Sequence, residues 1–175
     1  SEQKSSRMIS ILAMGDVLEA FNPEGMPSKQ EFEQKMKSDI LHLEQLQNTH
    51  GGWDYWVKQK DSNPFVTVHV MHALTRAQRR GYEVKATTLS TGKEYLKRVE
   101  SICRMRKWDE GTVRSCAAYA LYVRELLKDA DVAAAKALFN SIKESKNPDL
   151  EALGWLWPTL SKHAKGSAEM KELKR

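Results

Sequence analysis

Cysteine is scarce in this chain: there are two in 175 residues, Cys103 and Cys116. Two cannot build a disulfide framework, so the fold must rest on a packed core. Cys116 opens the apolar run Cys116 to Leu121, which suits a buried free thiol. A Cys103–Cys116 bridge stays open, because both residues flank one short connection, and with it the redox compartment. Long hydrophobic runs are missing as well. None approaches the ~20 residues of a membrane span, and no leader pattern is visible. The charge excess is small: 28 Lys and Arg against 23 Asp and Glu, net +5, with a pI near 9.1. No basic tract is interleaved with aromatics, so no nucleic-acid partner and no membrane contact is expected. Metal-ligand spacing is lacking too. His69 and His72 stand at i and i+3 without a third ligand or an intervening Glu, and two histidines packed in a helix interface are the expected reading. No metal and no other cofactor is expected.

What is present is ordinary globular material, 41% apolar and 29% charged. Residues 1–175 read as a single all-helical domain. The chain begins at Ser1 and runs out inside a polar helical pattern, Met170 to Arg175. We read it as an incomplete piece of something longer.

Helical spacing predicts a first helix from a Ser5 or Ser6 cap to about Phe21, with Met8, Ile11, Leu12, Met14, Leu18 and Phe21 apolar. Asn22 to Gly25 stops it. Ser28 and Glu31 fit a capping box for a second helix carrying Phe32, Met36, Ile40, Leu43 and Leu46. Asn63 and Pro64 open a third, apolar nearly all round as far as Arg76 and ended by Gly81. A fourth is expected over about Thr88 to Arg104, a fifth over Thr112 to Lys128, and a sixth behind Asp131. Pro148 opens a seventh that holds Pro158, which should kink it, and Gly166 precedes a polar eighth.

Amphipathic helices thus alternate with nearly all-apolar ones, a loose repeat of helical hairpins. The expected fold is all-α: an α/α toroid, that is a barrel of helical hairpins, or a partial one. A plain helical-repeat solenoid is the alternative. Leu43 to Ala77 organises the chain. A helix end is followed by a turn-rich loop with Gly51, Gly52, Trp53 and Trp56, and then by the Pro64 helix. The aromatics of that loop could line a pocket; pinning of the loop is the preferred reading. His50 could be a site residue, though a loop hydrogen bond is the plainer role. Asp109-Glu110 could pair as acids, yet adjacent residues at a helix start point apart and suit the helix dipole.

Gln45-Leu46, Gly52-Trp53, Trp56, Val66-Thr67 and Ala73-Leu74 together resemble the α/α-toroid class. That class includes prenyltransferase β subunits, terpene cyclases, and the thioester domains of complement and α2-macroglobulin. Ser1-Glu2-Gln3 is similar to the last three positions of the Cys-x-Glu-Gln thioester motif, and the helices and Gly-aromatic loop follow in that family's order. The resemblance runs from Ser1 to about Leu127 and is best to bacterial α2-macroglobulins.

It implies a fragment of a broad-spectrum protease trap, not an enzyme. In such a trap Gln3 would supply the acyl group, Glu2 would be its motif neighbour, and the thioester Cys would sit just before Ser1. The partners implied are target proteases, through the parent protein, and neighbouring domains of the same chain. The location implied is periplasmic, secreted or cell-envelope. Complement-like members use a later histidine to make an acyl-imidazole. Met105 to Arg114, where it would be expected, has none, so direct amine attack is expected. Four hairpins are fewer than a closed toroid has, which implies an exposed apolar flank at the Trp155/Trp157 helix.

Two other readings stay open beside this one. A non-catalytic helical-repeat interaction module would need no Cys at the junction, and Glu2-Gln3 would then be an ordinary frayed terminus. A terpene cyclase or prenyltransferase-like enzyme would need an Asp-rich motif or a zinc set, and neither pattern is present.

Overall fold

Local capping chemistry sets where the helices begin. Ser28 accepts from the Glu31 amide while the Glu31 carboxylate accepts from the Ser28 amide, the reciprocal pair expected from the sequence. Asn63, Asp109, Asp131 and Asp149 each place a side-chain oxygen on an amide three residues on. The computed structural model describes residues 1–21, 28–55, 61–145 and 149–167, with residues 14–21 described by backbone alone. Trp56, Pro148 and the expected polar eighth helix lie outside the described residues.

The helices are α1 (Glu2–Phe21), α2 (Lys29–Leu46), α3 (Pro64–Arg79), α4 (Ala86–Lys97), α5 (Val99–Met105), α6 (Glu110–Leu126), α7 (Val132–Lys143) and α8 (Leu150–His163). No strand occurs among the described residues. Two boundaries differ from expectation. The first helix starts at Glu2 and not at a serine cap; Ser5 instead bonds back to the Glu2 carbonyl at 2.8 Å. The helix expected over Thr88 to Arg104 is two helices. They part at Arg98, whose amide bonds to the Tyr95 carbonyl three residues back and tightens the chain for one turn. The α8 helix continues through Pro158.

The chain forms two compact units, Ser1–Gly92 and Lys93–Arg175, the division falling within α4. In the first, α3 is the buried element: Val66, Val68, Val70, Met71, Ala73, Leu74 and Ala77 are all inaccessible to solvent. Met8 and Leu12 of α1 and Met36, Ile40 and Leu43 of α2 complete that core. In the second, Ala118 and Leu121 of α6, Ala135, Phe139 and Ile142 of α7, and Leu156 and Leu160 of α8 pack together.

An ion cluster latches α8 to α6, where buried Glu125 takes Lys162 and, at 2.6 Å, His163. Ser115 of α6 donates to the Asp149 cap of α8 at 2.6 Å. On α8, Trp155 stacks on Tyr119 with ring centroids 4.1 Å apart, while Leu150 and Trp157 are exposed. The apolar flank expected at this helix is therefore Trp157 with Leu150, and Trp155 is half covered.

Candidate functional site

The loop after α2 is held by a knot of four residues. Trp53 is fully buried, and its indole N–H donates to the Leu43 carbonyl at 2.7 Å. Its backbone N–H donates to Thr67 Oγ1 at 2.9 Å, and that hydroxyl in turn donates to the Asn63 carbonyl at 2.8 Å. Gln47 spans the other side: its amide donates to the Gly51 carbonyl at 3.1 Å and to the Thr88 carbonyl at 3.0 Å. Glu44 accepts from the Lys85 amide at 2.7 Å. The end of α2 thus holds both the loop and the start of α4.

Among the loop residues named from the sequence, Gly51, Gly52 and Trp53 are buried and Tyr55 is exposed. Trp53 pins the loop. His50 makes the loop bond expected of it, 2.8 Å from Ser62 Oγ, and Ser62 also accepts from the Asn48 amide at 2.7 Å. Gln47, which the sequence reading passed over for Gln45, is the glutamine with the structural role. A run of Gln45-Leu46-Gln47 before Asn48 offers no local signal to separate the two.

The first turn of α1 lies beside this loop, with the Ser1 amino group donating to the Tyr55 carbonyl. Gln3 is exposed and Glu2 half-buried. Glu2 Oε1 is 3.4 Å from Ser6 Oγ, and Ser6 Oγ is 2.9 Å from His69 Nε2 of α3. One residue round the helix, Lys4 and Arg7 reach the buried Asp39 of α2, Lys4 Nζ at 3.3 Å and Arg7 Nε at 3.0 Å. Asp39 is taken out of water with two cations that keep partial contact with it, so its carboxylate is compensated and α1 is tied to α2. Further along, Arg80, the C-cap of α3, donates to the Leu12 carbonyl of α1. Asp39, Ser6 and His69 were missed as a set, because their partners lie 32 to 63 residues away in sequence.

His69 meets α1 through Ser6, and His72 is buried on the same helix. Burial lowers the His69 imidazole, with Glu2 pulling the other way. Burial, then the nearby Arg76 and His69, push His72 down to about 4. Against an ordinary value of 6.5, the unfolded chain binds more protons than the folded one between about 4 and 6.5. Stability from this residue is therefore complete above pH 6.5 and lost as pH falls toward 4. At about 1.4 kcal/mol per unit, the full loss is about 3 kcal/mol. Urea unfolding from about pH 7 down to about pH 4 should show this loss in the parent sequence and a flatter profile in His72→Gln. Equal slopes would refute it.

Cys103 and Cys116 are buried free thiols, hydrogen-bonded to each other, which pushes the Cys103 thiol down and the Cys116 thiol up. Asp109 and Glu110 take separate roles: Asp109 caps α6, and Glu110 meets Arg104. No group of three His, Cys, Asp or Glu among the described residues could hold a metal ion. No helix among them is long and apolar enough to cross a membrane.

Taken together, the elements define an all-α fold of the α/α-toroid type, whole or partial. Among solved structures, the chain is similar to native Escherichia coli α2-macroglobulin determined by cryo-EM. The TM-score is 0.81 at 22% identity, covering 99% of this chain and 11% of that one. It is similar to the crystal structure of the native E. coli protein from domain MG7 to the C-terminus, with TM-score 0.82, 22% identity, and 99% and 28% of the two chains covered. Salmonella α2-macroglobulin reacted with methylamine aligns with TM-score 0.74 at 20% identity, over 98% of this chain and 11% of that one. The resemblance drawn from the sequence therefore holds at the level of fold, and this chain spans only about a tenth of the full-length proteins it matches. No protein-family model matches the sequence, and no curated protein matches it.

Proposed function

We propose that residues 1–175 are part of the thioester domain of a bacterial α2-macroglobulin-like protease trap. In this reading Gln3 supplies the acyl group of an internal thioester, Glu2 is its motif neighbour, and the thiol comes from a Cys immediately upstream of Ser1. Trp53, Gly51 and Gly52 serve the scaffold, and so, by its motif position, does Trp56. The parent is non-enzymatic, is periplasmic, secreted or in the cell envelope, and meets its target proteases and its own neighbouring domains.

The observation that carries the reading is the position of Gln3. It stands exposed in the first turn of α1, beside the aromatic loop, within a fold that matches bacterial α2-macroglobulins along nearly its whole length. A Cys three residues before a Gln at a helix start can condense with it, and a small amine then opens the bond by taking the acyl group. Exposure of Leu150 and Trp157 on α8 favours a second reading, a helical interaction module without chemistry.

The deciding experiment titrates thiols in the full-length parent before and after methylamine. A thiol that appears only after methylamine, with the amine mass on Gln3, is the expected result. A thiol free from the outset, or no Cys before Ser1, would overturn the thioester and leave the interaction module.

A further inference from the structure

A histidine of another element reaches the first turn of α1. His69 comes from α3, 63 residues beyond Ser6, and its Nε2 lies 2.9 Å from Ser6 Oγ. Ser6 is i+3 from Gln3 on α1, and residues so spaced are neighbours on a helix surface, with Cβ atoms about 5–6 Å apart. Glu2 Oε1, 3.4 Å from the same hydroxyl, completes a row Glu2–Ser6–His69 beside the acyl-bearing residue.

We propose that Ser6 and His69 relay away the proton released when a nucleophile attacks the Gln3 acyl carbon. The proposal rests on the thioester reading above. Ser6 is the link nearest Gln3, and His69 is a positioning residue that holds the proton.

The geometry suits such a relay. A hydroxyl has one hydrogen to give and lone pairs to accept with. With Nε2 unprotonated, Ser6 donates to His69; with Nε2 protonated, His69 donates to Ser6, which can turn its hydrogen to Glu2. The row therefore has two hydrogen-bonded arrangements that differ by one proton at Nε2. Phe65 stacks on the imidazole, with centroids 6.1 Å apart and planes 8° from parallel, which fixes the ring. The charged and titratable neighbours of His69 include Glu2 on α1 and His72 on its own helix. Burial keeps His69 below its usual range, so the imidazole is neutral and able to accept near pH 7.

The step balances without any other reactant. The amine nitrogen bonds to the Gln3 acyl carbon and the carbon–sulfur bond breaks, the electron pair leaving with the Cys thiolate. One N–H proton passes to Ser6 Oγ while the Ser6 proton passes to His69 Nε2. The imidazolium then returns a proton to the thiolate, giving an amide and a free thiol.

The test follows methylamine-driven thiol release in the full-length parent and in His69→Gln and Ser6→Ala. Comparing wild-type and variant rates at each pH cancels the titration of methylamine itself. General acid–base assistance contributes about a hundredfold or more, so each variant should be slower by about that factor near pH 7. The ratio should fall toward one on the acid side of the ordinary imidazole range, where His69 takes up its proton. Ser6→Ala keeps the test sound should His69→Gln fail to fold. A ratio of one at every pH, or a slowing that does not change with pH, would overturn the relay while leaving the thioester intact. A wild-type parent that releases no thiol would end both.

Discussion

Replacing Trp53 with Ala is expected to cost about 3–5 kcal/mol, the range for removing a fully buried large aromatic. Two effects add. The indole leaves a cavity that α2, the loop and α3 cannot all close, because each is fixed by other bonds. The Leu43 carbonyl, which accepts from the indole at 2.7 Å, loses its partner inside the core. Most single domains hold only about 5–15 kcal/mol, so this one change should remove a large share of the first unit's stability. Trp53→Phe keeps most of the ring and should cost about 1–2 kcal/mol, mainly the lost bond. Urea unfolding followed by circular dichroism measures both, with Leu150→Ala on the exposed face of α8 as a control near zero. A Trp53→Ala loss below about 1 kcal/mol would mean that the loop is not held as described.

Gly51→Ala should be about as damaging, for a different reason. Gly51 has φ +94°, where a side chain is strained, and a Cβ there would stand 2.2 Å from the Thr91 carbonyl oxygen. That neighbour is backbone on α4 and cannot rotate away. Strain of about 1–3 kcal/mol from the dihedral adds to about 1–3 kcal/mol from the overlap, for a total of about 2–6 kcal/mol. Gly81 separates the two terms, since its φ is +90° but no atom lies within 4 Å of a built Cβ. Gly81→Ala should show the dihedral cost alone. Similar unfolding midpoints for the two variants would refute the steric half of the argument.

What could be read from the sequence, and what could not, divides by distance along the chain. The caps at Ser28, Asn63 and Asp131 and the glycine stop at Gly81 are local chemistry, and each stands where its neighbours place it. The buried character of α3 is equally local, since it is written in its own side chains. Asp39 is the opposite case. It occupies a polar-looking position in a charged helix, and only α1 arriving with Lys4 and Arg7 makes it a buried ion site. His69 likewise gains its meaning from Ser6. The break at Arg98 interrupts an apolar pattern that is continuous in sequence, with no Gly or Pro to announce it. At the candidate site, Glu2 and Gln3 were legible only through resemblance, because two polar residues at a helix start carry no signal of their own.

The Trp53 knot also bears on the order in which the first unit assembles. Its bonds to Leu43 and Thr67 close segments of only 10 and 14 residues. Such short closures cost little chain entropy and form quickly. The contacts that seat α1 against α3 join residues 63 and 68 apart. They must wait for a much longer loop to close. The α2–loop–α3 segment is therefore the natural nucleus, and the helix carrying Gln3 is the late arrival that docks on a surface already made. During synthesis α1 emerges before α3, so it would remain unseated until at least Arg80 had followed it out.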